Sequence, residues 1–185
     1  MISALFVTKN SIYKELNIDS WDIYRDARLW PGGNPCIAHP PCRAWGQLSH
    51  FANPRPGEKE LAIWAINQVR TFGGVLEHPR GSKLWPYLDL PLGGEIDSFG
   101  GFTLSICQSW FGHPCEKKTL LYICGCSPCE LPEYPLSFDA VKFVISTKKT
   151  RYSRPEASKK YREYTPINFA KWLIDVANKC KKSYI

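Results

Sequence analysis

The stretch EKELAIWAINQVRTFGGVLEHP, residues 58–79, joins a helical pattern to a strand pattern and decides the fold class. Apolar residues recur at helical spacing along residues 58–72, and acidic residues in the first turn agree with the helix dipole. Gly73 lies where a helix C-terminal cap is expected. A short apolar segment, residues 74–77, follows at once and predicts a strand.

Upstream, the sequence CIAHPPCR, residues 36–43, begins with another short apolar strand, predicted over residues 36–38. The order from residue 36 to residue 77 is therefore strand, loop, helix, strand. A crossover of this length makes the two strands parallel and brings their carboxyl ends to the same edge of the sheet. Open α/β sheets bind their ligands at that edge.

The remainder of the chain supplies further elements around this unit. Strands are predicted over residues 4–7, 21–24, 104–108, 119–124 and 140–146. A basic loop, residues 147–164, precedes a C-terminal helix, residues 166–180, in which Thr165 is the predicted N-cap. We predict a single compact α/β domain, residues 1–185, with a mainly parallel sheet.

Composition and charge limit the functional classes without choosing among them. The 185-residue chain has a formal net charge of +7 and is 14% aromatic. Such a chain fits a nucleic acid partner, although ribosomal, membrane-surface and other basic proteins share these properties. No apolar run is long enough for a transmembrane helix, so no membrane contact is expected. The amino terminus lacks a basic leader, so we expect eight reduced cysteines in the cytoplasm.

Two side chains follow the paired strands and are candidates for chemistry. Cys42 follows two prolines, which stiffen the backbone at the strand end, and Arg43 beside it is expected to favour the thiolate. Glu77 ends an apolar strand, where a carboxyl group is expected to have a raised pKa and to carry a proton near neutrality. The alternatives are a buried structural thiol at Cys42 and, at Glu77, a helix cap or an ion pair with a residue such as Arg80.

Two histidines occupy equivalent places beside these candidates. His39 and His78 each precede a proline at the end of a predicted strand. Either could orient a base or a phosphate, or simply cap a strand. We expect a functional role for one of them.

The motifs Pro-Pro-Cys-Arg, residues 40–43, and Leu-Glu-His-Pro, residues 76–79, resemble the Pro-Pro-Cys-Gln and Glu-Asn-Val signatures of DNA cytosine-5 methyltransferases. The segment QSWFGHP, residues 108–114, with Lys-Lys-Thr at 117–119, is similar to the basic motif that follows in that family. The resemblance covers about residues 36–124 and is closest to small phage-type members. It implies a three-layer Rossmann-like methyltransferase fold and a role in DNA modification, as in restriction-modification, within the host cytoplasm of a bacteriophage.

The resemblance assigns roles to individual residues. It implies that Cys42 attacks C6 of a cytosine flipped out of DNA, while Glu77 hydrogen-bonds the exocyclic amine and N3. The activated C5 then takes a methyl group from S-adenosylmethionine. Gln108 and Lys118 are expected to hold the base or its phosphate. The further substrate-binding candidates are Pro41, Arg43, His39, His78 and His113, and the cofactor-binding candidates are Phe6, Asp22 and Asp26.

One departure from the family keeps two other functions open. The family has a glycine-rich cofactor loop after its first strand, whereas residues 8–13 contain no glycine. Glycine permits a ligand to approach the backbone closely. The chain could therefore be a catalytically altered or inactive nucleic-acid-binding relative, for example in anti-restriction, or an enzyme that modifies cytosine or a nucleotide with another group donor.

A cysteine cluster with the sequence CGCSPC is a separate feature and contains Cys124, Cys126 and Cys129. These thiols could bind zinc, with His113 or Cys115 as the fourth ligand. The other interpretation is a group of thiols at a strand end, because structural zinc sites usually present two spaced pairs. We assign no metal to the candidate site.

Overall fold

The computed structural model describes residues 1–47, 49–145 and 154–181. Its strands are β1 (Ser3–Leu5), β2 (Asp19–Trp21), β3 (Cys36–Ala38), β4 (Gly74–Pro79), β5 (Gly101–Cys107) and β6 (Lys118–Cys124). Its helices are α1 (Ile12–Glu15), α2 (Glu58–Phe72), α3 (Leu84–Tyr87), α4 (Lys159–Glu163) and α5 (Ile167–Lys179). Short 3₁₀ turns join several of these elements, including one at Arg43–Trp45.

The strands form one mixed sheet in the order β2-β1-β3-β4-β6-β5. β1 pairs in parallel with β2 and with β3, and β3 pairs in parallel with β4. β6 is antiparallel to both β4 and β5. The predicted α/β class with mainly parallel strand pairs is confirmed, as is the parallel pairing of the strand before Cys42 with the strand that carries Glu77.

The chain reverses its direction across the sheet at β1. It moves from β1 to β2 on one side and then to β3 on the other side of β1. Such a reversal leaves a crevice outside the carboxyl ends of β1 and β3, because the connections that follow these two strands run in opposite directions. This crevice positions the candidate site.

α5 packs on one face of the sheet and α2 on the other. Successive strand residues point to opposite faces, so the strands supply apolar side chains to both helices. Ile37 and Val75 share one apolar cluster with Phe169 of α5. Leu76 shares the other cluster with Ile66 of α2. Burial of each large apolar side chain contributes about 1.5–3 kcal/mol, so the two interfaces hold β3 and β4 and fix where their carboxyl ends lie.

Gly74 allows β3 and β4 to approach each other closely. Its φ is +121°, and a Cβ at this position would lie 2.0 Å from the carbonyl oxygen of Cys36. Only a residue without a side chain fits, so a substitution would push the two strands apart at their start. The same strands lead to Cys42 and Glu77 at their other ends.

Two predicted boundaries are shifted along the chain. The strand predicted over residues 21–24 lies two residues earlier, at β2, because Asp22 instead accepts hydrogen bonds from two backbone amides of the following turn. The C-terminal helix was predicted to begin at Pro166 with Thr165 as its N-cap. It begins at Ile167, because Pro166 has an extended ψ of 144° and is itself the N-cap.

The segment before the C-terminal helix differs more from the prediction. The strand predicted over residues 140–146 is wrong for its described part, because Phe143 and Val144 each form an isolated bridge to a different residue and no ladder extends. The predicted basic loop, residues 147–164, contains α4 within its described part. Residues 146–153 lie outside the described residues.

A membrane-crossing helix needs about 20 mostly apolar residues. α2, with 15 residues, and α5, with 13, are the longest helices among those described. Within the described ranges, no helix combines the length and the hydropathy that a bilayer crossing requires.

Candidate active-site cleft

An open cleft of about 1150 Å³ lies outside the carboxyl ends of β1, β3 and β4. His39, Cys42 and Glu77 line its floor, so the structure brings the two candidate reactive residues to one site. The far wall comes, among the described residues, from positions 143–145, 154, 159 and 162–165. Pockets for small molecules typically measure about 300–1,000 Å³, so this cleft has room for a nucleotide.

The turn that follows Cys42 fixes the position of its backbone. Arg43 donates from Nε to Glu58 Oε1 at 2.6 Å, and Glu58 is almost fully buried. The Trp45 indole donates to the carbonyl of Lys59 at 3.1 Å. Both contacts tie the turn to the start of α2, while Cys42 lines the cleft.

The pKa of the Cys42 thiol is raised above its ordinary value. Burial is the main cause, since protein atoms surround the sulfur although the residue as a whole is exposed; the charge of Glu77 adds to it and that of Lys117 opposes it. The expectation that Arg43 would favour the thiolate is wrong, because its guanidinium is paired with Glu58. A neutral thiol therefore predominates at pH 7, and a nucleophilic Cys42 must lose its proton during the reaction.

Glu77 lies buried on the cleft floor between two hydrogen-bond donors. His39 Nδ1 lies 3.2 Å from Glu77 Oε2, and Gln108 Nε2 donates to Oε1 at 2.9 Å. Burial alone would raise the pKa of Glu77, but the hydrogen bond from His39 and the charge of Lys117 lower it to about 2. The expectation of a raised pKa is therefore wrong, and Glu77 is a carboxylate at neutral pH.

Both partners of Glu77 are held in turn. The Tyr13 hydroxyl lies 2.9 Å from His39 Nε2, and Gln108 Nε2 also donates to Thr119 Oγ1 at 3.1 Å. We call these five side chains the cleft network. Sequence reasoning missed Tyr13 and Thr119. The available signal was that Thr119 begins the strand predicted over residues 119–124.

Lys117 is a further residue that sequence reasoning missed, because the resemblance pointed to its neighbour Lys118. The charge of Lys117 lowers the pKa of both Glu77 and Cys42. Both lysines line the cleft. Adjacent residues at the start of a strand point to opposite faces. One lysine of such a pair therefore has to point to the same face as Glu77, and the pair itself was the available signal.

Two of the predicted substrate-binding histidines lie away from the cleft. His78 packs edge-on against Trp85 on the opposite face, with ring centroids 6.4 Å apart, and burial lowers its pKa to about 4. His113 accepts from the amide of Cys115, and its Nε2 lies 3.1 Å from the carbonyl of Tyr161. Neither histidine lines the cleft. Of the other candidates, Pro41, Arg43, His39 and Lys118 line it, and Gln108 reaches it through Glu77.

The three cofactor candidates are not brought together. Phe6 lines the cleft and has a φ of +59° directly after β1. Asp22 accepts from Lys14 Nζ at 2.6 Å and from two backbone amides. Asp26 pairs with Arg28 at 2.7 Å. Neither aspartate lines the cleft, so the structure does not bring them together with Cys42 and Glu77.

These residues do not fit S-adenosylmethionine in the way that the resemblance implies. An acidic side chain that binds a ribose hydroxyl must be accessible, whereas Asp22 is buried and engaged by Lys14. The φ of Phe6 lies in the region that favours glycine, so a side chain stands where a ligand would approach the backbone. We therefore derive no chemical step through this cofactor.

The cleft carries an excess of positive charge. Among the described residues, six Lys and Arg side chains line it, against four carboxylates. In the far wall, Arg154 lies 3.6 Å from Glu116 and Arg162 lies 2.8 Å from Glu156. Exposed ion pairs of this kind contribute about 0–1 kcal/mol, so a phosphate can compete for these cations.

The cysteine cluster lies away from the cleft and does not assemble a metal site. Cys126 Sγ lies 3.4 Å from Cys180 Sγ, whereas Cys129 Sγ contacts Ser127 Oγ at 3.0 Å. In the part of the chain that the structure describes, no group of three or more His, Cys, Asp or Glu side chains is placed to hold a metal ion. The arrangement agrees with the second interpretation, thiols at a strand end.

Cys42, Glu77 and the cleft network together form the candidate active site. In sequence comparisons, no family model matches the chain, and no curated protein matches it either. The functional inference therefore starts from the cleft and its charges.

Proposed function

We propose that the protein modifies cytosine in DNA, most simply by methylation at C5, through a covalent bond between Cys42 and C6 of the ring. The observation that carries this proposal is the placement of Cys42 and the ionised Glu77 in one cleft. The sheet supports it as well. A helix on each face and a crevice at the reversal of strand order suit the three-layer Rossmann-like arrangement that the resemblance implies.

Glu77 favours cytosine over thymine. Cytosine presents an amine donor at position 4, whereas thymine presents a carbonyl acceptor there. An ionised carboxylate accepts hydrogen bonds and cannot donate them. Glu77 therefore attracts the cytosine amine and repels the thymine carbonyl. His39 and Gln108 each contact one of its oxygens, which leaves acceptor capacity for the base.

Addition of the Cys42 thiolate to C6 makes C5 nucleophilic. The sulfur forms a bond to C6, ring electrons move toward N3, and N3 gains a proton. C5 then attacks an electrophile, and loss of the C5 hydrogen and of the Cys42 sulfur restores the ring. Because the pKa of Cys42 is raised, the rate of addition increases with pH until another step becomes limiting.

The charges in the far wall support a substrate that bears phosphate. A base whose ring reaches Cys42 directs its sugar and phosphate toward Arg154, Lys159 and Arg162, which line the cleft. A base inside a duplex must first leave the stack, because its C6 atom is otherwise inaccessible. The substrate in this proposal is therefore a single-stranded or extruded cytosine.

A second candidate keeps the covalent step but uses a group donor other than S-adenosylmethionine. The engagement of Asp22 by Lys14 and the positive φ of Phe6 favour it. Calorimetry separates the two candidates. Binding of S-adenosylmethionine with a micromolar Kd supports methylation, whereas no binding at millimolar concentration supports another donor.

Exchange of the C5 hydrogen with solvent tests the covalent step without any group donor. In D₂O, reversible addition of Cys42 to C6 lets C5 gain deuterium and lose protium, which mass spectrometry of the nucleoside detects. We expect exchange with the wild-type protein on a cytosine-containing single strand, and none with Cys42→Ser. Cys129→Ser is the matched control, because Cys129 is also exposed, and it should exchange at the wild-type rate.

Absence of exchange with the wild-type protein contradicts the proposal, provided that single strands, duplexes and cytidine mononucleotides have all been assayed. Salt-sensitive DNA binding without exchange identifies instead the non-catalytic nucleic-acid-binding relative.

A further inference from the structure

We propose that His39 delivers the proton to N3 of the base through Glu77 and takes it back when the adduct breaks down. This inference rests on the proposed function, because it concerns the same covalent addition. It extends that function by naming the source of a proton that the addition requires.

The need for a separate source follows from the state of Glu77. Its pKa of about 2 leaves it without a proton at neutral pH, so it can relay a proton but does not hold one. Among the described side chains, His39 and Gln108 hydrogen-bond it. An amide such as Gln108 does not ionise near pH 7, whereas imidazoles ordinarily gain and lose a proton between pH 5 and 8.

The hydrogen bonds around His39 fix which nitrogen faces Glu77. Because the carboxylate only accepts, Nδ1 carries the hydrogen in the 3.2 Å contact. In the neutral ring, Nε2 then accepts from the Tyr13 hydroxyl at 2.9 Å. Burial and the charge of Glu77 hold the pKa of Tyr13 well above its ordinary value, so Tyr13 keeps its own proton. In the imidazolium, Nε2 donates and the same hydroxyl oxygen accepts.

The groups that face His39 come from four parts of the fold. They are Tyr13 of α1, Cys42 after β3, Glu77 of β4 and Lys117 just before β6. The His39 side chain is 15% exposed, so its ring can exchange protons with water in the cleft.

Protons and electrons balance within the cleft. A proton leaves Cys42 Sγ and reaches the imidazole of His39 through cleft water, which gives a thiolate and an imidazolium. The thiolate forms the S–C6 bond, ring electrons move to N3, and the Nδ1 proton passes through Glu77 to N3. His39 is then neutral. When the S–C6 bond breaks, the N3 proton returns to His39 and the thiolate can be reprotonated.

Two substitutions separate proton delivery from simple positioning of Glu77. His39→Asn keeps an N–H donor for the carboxylate but cannot carry a proton, whereas His39→Ala loses both properties. We expect C5 hydrogen exchange to fall about 10²–10⁴-fold in both variants, and added imidazole to restore part of the rate in His39→Ala. An unchanged circular dichroism spectrum and an unchanged unfolding temperature show that the fold is intact in each variant.

The wild-type protein provides a measurement that does not depend on the folding of a variant. The exchange rate should follow an ionisation whose midpoint equals that of the His39 ring, read by nitrogen-15 NMR. Tyr13→Phe should move both midpoints together.

Near wild-type exchange in His39→Asn, or a midpoint that differs from that of the His39 ring, overturns the role of His39 and leaves the proposed function in place. No exchange in the wild-type protein overturns the proposed function and this inference with it.

Discussion

His39 and His78 stand in the same sequence context, yet the fold gives them opposite environments. Each is followed by a proline at the end of a parallel strand. β3 and β4 pair with Ala38 opposite Leu76, so His39 continues the register beside Glu77. His78 comes one residue later, points to the other face and is fully buried. A shift of one residue along a strand therefore decides whether the histidine lies in the cleft or in the core.

The hydrogen bonds of the two rings differ accordingly. Both ring nitrogens of His39 have partners, Tyr13 and Glu77. Neither ring nitrogen of His78 has a hydrogen-bond partner among the described residues. Burial lowers the pKa of His78, and the charge of Glu77 and the nearby Pro41 carbonyl oppose that effect. Substitutions on the His39 side should therefore change reactivity, and substitutions at His78 should change the pH dependence of stability.

The largest effect is expected at Glu77, on the cleft side of this comparison. Glu77→Gln removes the negative charge that attracts the cytosine amine and relays the proton, so C5 hydrogen exchange should fall about 10²–10⁴-fold. The same change lowers the pKa of Cys42, because the charge of Glu77 raises it. Alkylation by iodoacetamide at pH 8 should therefore become faster while exchange is lost. If both rates fall together, the cleft is disrupted and the charge is not the cause.

The next largest effect is expected at His78, on the core side. Its folded pKa of about 4 lies below the ordinary 6.5, so its contribution to stability is fully present above pH 6.5 and is lost as the pH falls through 4. The difference corresponds to about 3 kcal/mol. Urea unfolding of wild type should show this loss, and His78→Leu should remove it.

Glu77 adds a separate loss at lower pH. Its folded pKa of about 2 lies below the ordinary 4.5, so its contribution is present above pH 4.5 and is lost as the pH falls toward 2.

His39→Leu is the matched control for the interval between pH 6.5 and 4. If the control flattens the stability profile as much as His78→Leu does, the distinction between the two histidines is lost.

The smallest effect is expected at Lys117, whose charge acts on both Cys42 and Glu77 in the cleft. Its charge lowers the pKa of Cys42, so Lys117→Met should raise that pKa and slow alkylation several-fold at pH 8. Lys118→Met removes a neighbouring cleft cation and is the control. If both substitutions slow alkylation equally, the net charge of the cleft controls the reactivity of Cys42 and the position of Lys117 does not.

The elements that could be predicted from the sequence are those set by nearby residues. Cys36–Ala38 is a strand, and Glu58–Phe72 is a helix that ends at Gly73, as predicted. Helical spacing, a capping glycine and short apolar runs are local signals. Together with the handedness of the crossover they were sufficient to place Cys42 and Glu77 at one edge of the sheet.

The environment of these two residues could not be predicted in the same way. The groups that lower the pKa of Glu77 are His39 after β3, Lys117 just before β6 and His78, which follows Glu77 in the chain. The proximity of His39 and Lys117 to Glu77 depends on the order of the strands. The apolar neighbours of Glu77 in its strand predict a raised pKa. The pKa of Glu77 is instead lowered. The ion pair of Asp22 could not be predicted for a related reason, because its partner Lys14 comes from a separate helix.

The distance along the chain between the floor and the far wall of the cleft bears on when the site forms. The described floor residues lie between positions 6 and 79, and the described far-wall residues lie at 143–145, 154, 159 and 162–165. Closing so long a loop has an entropic cost that must be met before the contacts form, so such contacts are slow to appear. Strand pairing and the packing of α2 involve shorter separations. We expect the cleft to be completed late in folding, so that a newly made chain acquires its sheet before the cations of the far wall reach Cys42 and Glu77.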